Sequence, residues 1–500
     1  MVEGESRALD FFYHSTAPQL SGFFGRALWD AVLQHSLTEP SIRHAIIALA
    51  TLHRDLGTAC TSRSEAIGRR DRRAFALKSY GRAMNALQRR ALDTGAAPLM
   101  ALASIVFACF ECLLGDAKAV ATHVMSGICV LKMVREVSGE PSGAWGLQYR
   151  SFEASFIETR IAPVLCTLSI CVAEFGSPGG LLYLNSVDGH GCPIFGEPFH
   201  DLSQARYGLT DIVTAALRIV WEDSVSSQAT VNMAYLRSVL GRWEERFDDL
   251  VRRRESSWSD QDRGGADLIR AMWQSTAVGL SAGSAADETA WDGHKTAYEN
   301  ILRLVESLIA RQGYSPRCET TFHFEMGIIS PLHLVAWKCR WPDLRRKGLA
   351  LLLSCSRQEC LYDARLYYAV FSRIMEIEEG INALGPSNQT SDQPTLPPEQ
   401  ARVHHFHCEP HPSDTHGETH ILKIFTRPNW PDRAWHLQVE PLRVGRSEAL
   451  NQAVFSSNTV SSGSQRLPVV NLFRTKPVLH LSGSETRKQL PDQTAIITVI

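Results

Sequence analysis

The 500-residue chain has no apolar run of 20 residues, no basic-then-apolar leader and few cysteines. Its longest apolar stretches, 98–110 and 161–173, stop short of the roughly 20 residues that cross a bilayer, and the second carries a proline. The opening MVEGESRALDFF has neither part of a secretory signal. These absences predict a soluble, intracellular protein that makes no membrane contact. The 12 cysteines sit mostly in apolar surroundings (Cys109, Cys112, Cys129, Cys166, Cys171, Cys339, Cys355). They read as small buried side chains of a reduced compartment, not as a disulfide framework. No P-loop and no GxGxxG opening a helix occurs, so nucleotide binding has no support. Charge of one sign is also lacking: 51 Lys+Arg stand against 53 Asp+Glu, a net charge of −2. That balance excludes a chain that grips nucleic acid with its whole surface, though not a local basic patch.

What is present is a folding composition, 44% hydrophobic and 21% charged, long enough for more than one packed unit. From residue 8 to about 380 the apolar residues recur at helical spacing. Ile42, Ala45, Ile46, Leu49 and Leu52 share one face behind Pro40, which suits a first helical turn. Leu77, Tyr80, Met84 and Leu87 repeat the pattern. Residues 98–114 are apolar nearly all round, as a central buried helix is, and Gly115 ends them. The second half predicts helices over 205–222, 228–250, 286–311, 324–339, 342–354 and 358–380. Residues 176–200 are rich in Gly and Pro and predict a long loop, and 384–400 a polar linker. Beyond it, RVHHFHCE, THILKIFT and AWHLQVE alternate as short strands. The expected fold is all-α over 6–383, with a small β appendage near 401–440 and a disordered tail over 441–500.

Few motifs carry chemistry. Gly279-Leu280-Ser281-Ala282-Gly283 matches the G-x-S-x-G nucleophile elbow, which needs a strand before the serine and a helix after it. The residues before Ser281 have helical spacing, so a helix end is expected there, and a serine hydrolase is only a remote alternative. His404, His405, His407, Cys408, His411, His416 and His420 cluster. With a single cysteine, and neighbours on opposite faces of a strand, they read as ordinary strand and turn residues. Cys109 and Cys112 form a C-x-x-C inside the most apolar helix, where a thiolate is unfavourable. Basic clusters at 69–73, 252–254 and 345–347 are expected on solvated helix faces or ends. The sequon at Asn388 is one that an intracellular chain would not use. No catalytic, cofactor-binding or metal-ligating residue is assigned.

Five strings carry a more specific signal: RALDFFYHSTAPQLSGFF (7–24), SLTEPSIRHAIIALATLH (36–53), SYGRAMNALQRR (79–90), FACFECLLGDAKAVATHVMSGICVL (107–131) and FHFEMGIISPLHLVAWKCRWP (322–341). In this order they resemble the fungal-specific transcription factor domain, the regulatory region of fungal Zn2Cys6 binuclear cluster transcription factors. Residues 284–309 are similar to that region too. The resemblance spans about 6–380 and implies an all-α, non-enzymatic regulatory domain in the nucleus. It implies partners among related transcription factors or a second copy, the transcription apparatus, and an unknown small-molecule effector. Two zinc ions and DNA contact are implied only for an N-terminal cluster of two C-x2-C-x6-C units, which is missing from this chain. The alternative implied is a DNA-free helical adapter that modulates related factors.

Overall fold

The structure, a computed structural model, describes residues 3–55, 63–90, 96–138, 152–176, 180–195, 198–223, 227–283, 285–311, 321–355, 357–382, 396–411, 419–431 and 434–444. The expected disorder beyond 444, most of the linker, His416 and Asn388 lie outside these residues.

The architecture is helical with a small sheet near 401–440, as expected from the sequence, and a second small sheet within 321–363 that was not expected. The first layer comprises α1 (Glu3–Phe11), α2 (Ala17–Ser21), α3 (Arg26–Thr38), α4 (Pro40–His53), α5 (Arg63–Arg90), α6 (Ala97–Leu114), α7 (Ala117–Ser138), α8 (Phe152–Phe156) and α9 (Ala162–Glu174). Every residue of α6 from Ala101 to Cys112 is buried, because a helix apolar on all sides loses free energy wherever it meets water. It contacts α4 on one side and α7 on the other. Gly115, at φ +76°, ends α6 in the left-handed region that a side chain resists. Asp116 then begins α7 by accepting the Ala119 N–H at 3.0 Å. A second glycine brings α7 close to its neighbours. A Cβ at Gly127 would come within 2.3 Å of Ser104 Oγ and 2.8 Å of Leu165 Cδ2.

The second layer comprises α10 (Leu202–Asp223), α11 (Ser227–Arg254), α12 (Asp260–Ala282), α13 (Lys295–Arg311), β1 (Thr321–His323), α14 (Ile329–Lys338), α15 (Pro342–Cys355), β2 (Arg357–Glu359), β3 (Tyr362–Asp363) and α16 (Ala364–Asn382). Ser259 and Asp262 form a reciprocal capping box at the start of α12, which satisfies two otherwise orphaned N–H groups.

The helix expected over 324–339 begins five residues late, after a strand the sequence did not show. β1 pairs parallel with β2, and β2 antiparallel with β3. This sheet sets Glu359 under the start of α14, where its carboxylate accepts the N–H groups of Gly327, Ile328 and Ile329 at 2.9–3.0 Å. A carboxylate there satisfies the helix start and complements its dipole. The strands expected near 401–440 form an antiparallel meander of β4 (Val403–Pro410), β5 (Thr419–Thr426) and β6 (His436–Arg443), with Phe406 opposite Ile424 and Leu422 opposite Glu440.

One expectation fails, and others fall with it. Three segments are long and apolar enough to cross a membrane by length and composition: Ala97–Leu114, Ala117–Glu136 and Ala154–Glu174. Counting apolar residues stops at a charge such as Arg160, while the helix continues through it, so the third segment reads eight residues short. This finding overturns the exclusion of a membrane and the nuclear location. It overturns equally the soluble nuclear regulator, and the adapter built on the same premise. In the folded chain 72% of the first and third segments is buried against protein, but only 33% of the second.

Candidate buried charge joint

The largest concentration of buried charge lies where α14, α15 and α16 meet the chain entering β4. Its members come from across the sequence. Trp337, Lys338, Cys339, Arg340 and Trp341 form the end of α14 and the turn after it, where charges alternate with tryptophan in an apolar string. Lys338 Nζ lies 2.7 Å from Glu288 Oε1 and 3.8 Å from the Trp337 ring centroid. Arg340 bridges Glu288 and Glu378, at 3.0 Å to each. Arg345 Nη1 donates to Glu378 Oε2 at 2.5 Å and its Nε to the Ala336 carbonyl at 3.1 Å.

The β4 side closes the set. Val403 N–H donates to Glu378 Oε1 at 2.8 Å. Arg402 grips Asp292 with both terminal nitrogens, at 2.7 and 2.8 Å, and donates Nε–H to the Pro397 carbonyl. Glu399 accepts the N–H groups of Glu288 and Thr289 at 3.0 Å, and His404 Nε2 lies 3.1 Å from it. Four cations (Lys338, Arg340, Arg345, Arg402) thus face four carboxylates (Glu288, Glu378, Glu399, Asp292), so the joint is charge-balanced.

Balance explains the protonation states. Burial pushes the Glu378 carboxyl up, but the guanidinium groups of Arg340 and Arg345 outweigh it and hold it at about 2. Burial lowers Lys338 to about 8, a fall that Glu288 partly opposes. Beside the joint, His333 packs edge-on to Trp337, Tyr367 and Phe371. Burial lowers it to about 3. An isolated buried charge is very costly, so a neutral imidazole is what that aromatic box tolerates. The arrangement holds chain segments together.

The motifs read from sequence fall elsewhere or dissolve into the structure. Ser281 lies exposed in the last turn of α12, where Gly283 N–H returns to the Gly279 carbonyl at 2.8 Å. That is a helix end, with no strand before it. Of the histidine cluster, His404 and His407 are buried in β4, His405 faces Trp435, and His420 stands opposite Pro410. Among the described residues no three His, Cys, Asp or Glu side chains converge to hold a metal ion. Cys112 meets Cys360, with sulfurs 3.7 Å apart, rather than pairing with Cys109. The basic clusters take three forms. Arg72 pairs with Asp55 at 2.6 Å and Arg253 with Asp249 at 2.8 Å. Arg346 and Lys347 reach Glu379 and Glu306, but Arg345 is buried, against the expectation of a solvated face. Sequence reasoning missed the joint itself. The only local signal was the pair of charges enclosed by Trp337 and Trp341.

Comparison with known proteins adds one finding and two negative results. Over 330 residues, 62% of this chain and 50% of the relative, the chain is 24% identical to the Aspercryptin biosynthesis cluster-specific transcription regulator atnN of Emericella nidulans. The chain therefore spans about half the length of the curated relative it matches. The likeness is to a fungal regulatory protein. No protein-family profile matches the chain. No solved structure matches it either.

Proposed function

We propose that the chain is a non-catalytic fungal regulatory protein whose helical body serves as a binding scaffold. The observation that carries this reading is the use of its buried charge. The ionisable groups of the joint are spent on one another, and Ser281 sits on a helix end. The likeness to a transcription regulator supports a regulatory role. Labelling of the purified chain with a serine-directed fluorophosphonate tests the non-catalytic half: no labelling is expected, and labelling that Ser281→Ala removes would overturn it.

A second reading places this scaffold at a membrane. It is favoured by the three membrane-length segments, above all the one in α7, of which only 33% is buried. Fractionation of a fungal lysate containing the full chain decides it. Pelleting that survives alkaline carbonate supports integral insertion. Release into the supernatant at low salt would end the membrane reading and leave the scaffold standing.

A further inference from the structure

Three cavities adjoin along the first half of α10, the inner two lying between it and α9. The outermost, about 390 Å³, opens between Phe23, Phe24 and Trp258, with Arg254 and His200 on its rim. It shares Phe24 and Ser203 with a middle cavity of about 90 Å³. The middle cavity shares Thr167 and Arg206 with an innermost one of about 50 Å³, walled mainly by Ile170, Leu209, Val213, Met272 and Met326. The groove thus runs from a wide polar mouth to a narrow apolar end.

Arg206 stands at the boundary of the last two cavities. It is 7% exposed, lies 3.1 Å from Glu325 and stacks 4.6 Å over the Phe24 ring. Burial pushes the Glu325 carboxyl above its ordinary value, against the opposing pull of Arg206. Four of the five hydroxyls around the inner cavity are already committed. Thr167, Thr210, Ser275 and Thr276 each donate to the carbonyl four residues earlier in their own helix, at 2.9–3.0 Å. With those protons spent, the inner end offers methyl groups and acceptor lone pairs, neither of which attracts an anion. A negative charge in the groove belongs on Arg206, and hydrocarbon belongs beyond it.

We propose that this groove binds a small apolar carboxylic acid, its carboxylate on the Arg206 guanidinium and its hydrocarbon end among Val213, Met272 and Met326. Planar guanidinium groups match carboxylates with two parallel hydrogen bonds. The inner cavity, about 50 Å³, is about a third of the ~150 Å³ that holds a benzene molecule. It seats the tip of the hydrocarbon, and an acid of about six carbons leaves the rest of its chain along the groove. On binding, the incoming carboxylate takes the place of Glu325 on Arg206, and Glu325, left without its cation, takes up a proton from solvent. The site stands whether or not the scaffold reading holds.

Isothermal titration calorimetry on the full chain with hexanoate and benzoate tests this, with hexylamine and hexanol as charge controls. Saturable one-to-one binding of the two acids is expected, with proton uptake seen as a heat that depends on the buffer. Arg206→Gln should weaken hexanoate at least tenfold. Val213→Phe, which fills the inner cavity, should weaken hexanoate while leaving acetate unchanged. No binding of either acid overturns the proposal, as does equal binding of hexylamine or hexanol. If Arg206→Gln does not fold, the Val213→Phe result and the proton uptake decide: hexanoate unaffected by the first, or no uptake, also overturns it.

Discussion

The layer of α4, α6 and α9 and the joint around α14 and β4 bury their side chains by different means. The first closes over Ile42, Ile46, Leu49, Leu102, Ile105, Leu165 and Leu168, with Glu111 and Glu174 the buried carboxyls in its helices. The second buries Glu288, Lys338, Arg340, Arg345, Glu378, Glu399 and Arg402 in one connected set. Apolar contact has no direction, grows with area and tolerates changes of shape. A desolvated ion pair has direction, and removing one partner leaves the other uncompensated. The apolar layer should therefore fail gradually, and the joint abruptly.

Acid should separate the two regions most strongly. Burial holds His333 at about 3 and His407 at about 2. In the unfolded chain both take a proton as pH falls below about 6.5, but in the fold they do not until far lower. Their lowered values therefore contribute stability that is complete above pH 6.5 and drains away as pH falls toward 3. Each unit of separation is worth about 1.4 kcal/mol. Below about 4.5 the depressed Glu378 adds its own loss. Hydrogen exchange read segment by segment at pH 6.5 and pH 4.5 should show 403–426 losing protection first. Equal loss in 97–114 would make the two regions one cooperative unit and break the comparison.

Glu378→Leu should cost about 3–5 kcal/mol in urea unfolding, since Arg345 would be left buried without its carboxylate and Arg340 with Glu288 alone. Adding Arg345→Met should restore part of that stability, because it removes the cation left unpaired and returns the joint to three cations against three carboxylates. If the double variant is no better than the single, the joint specifies the fold as well as balancing charge. Leu102→Ala, in the apolar layer, should cost about 2–5 kcal/mol through lost contact and a cavity. Conservative repair with Met should recover most of it. The smallest expected effect is Gly127→Ala. Its methyl would press on Ser104 and Leu165 at a cost of about 1–3 kcal/mol, seen as a lower thermal midpoint.

How much of this was legible in the sequence depended on the range of each interaction. α6 announced itself, since a helix apolar on every side needs no partner to be recognised. β4, β5 and β6 were visible as eight-residue alternations. β1, β2 and β3, of two or three residues, are too short to carry a period, and their reason for existing, Glu359 beneath α14, lies in a contact 30 residues away. The joint was less legible still: Glu288 and Glu399 are 111 residues apart, and in a linear reading both are ordinary acids. The membrane-length segments were missed for a related reason. A run of letters ends at Arg160, while the helix that contains it does not.

The joint also bears on how the chain is made. Synthesis proceeds from the N-terminus, so α14, α15 and α16 leave the ribosome before Glu399, Arg402 and Val403. Until those residues emerge, Asp292 lacks its guanidinium, Glu378 lacks the Val403 N–H, and the N–H groups of Glu288 and Thr289 lack their acceptor. A nascent chain halted near residue 390 would present this unfinished surface to chaperones and proteases. Emergence of residues 399–404 covers it, so the stretch entering β4 acts as a seal on the helices made before it.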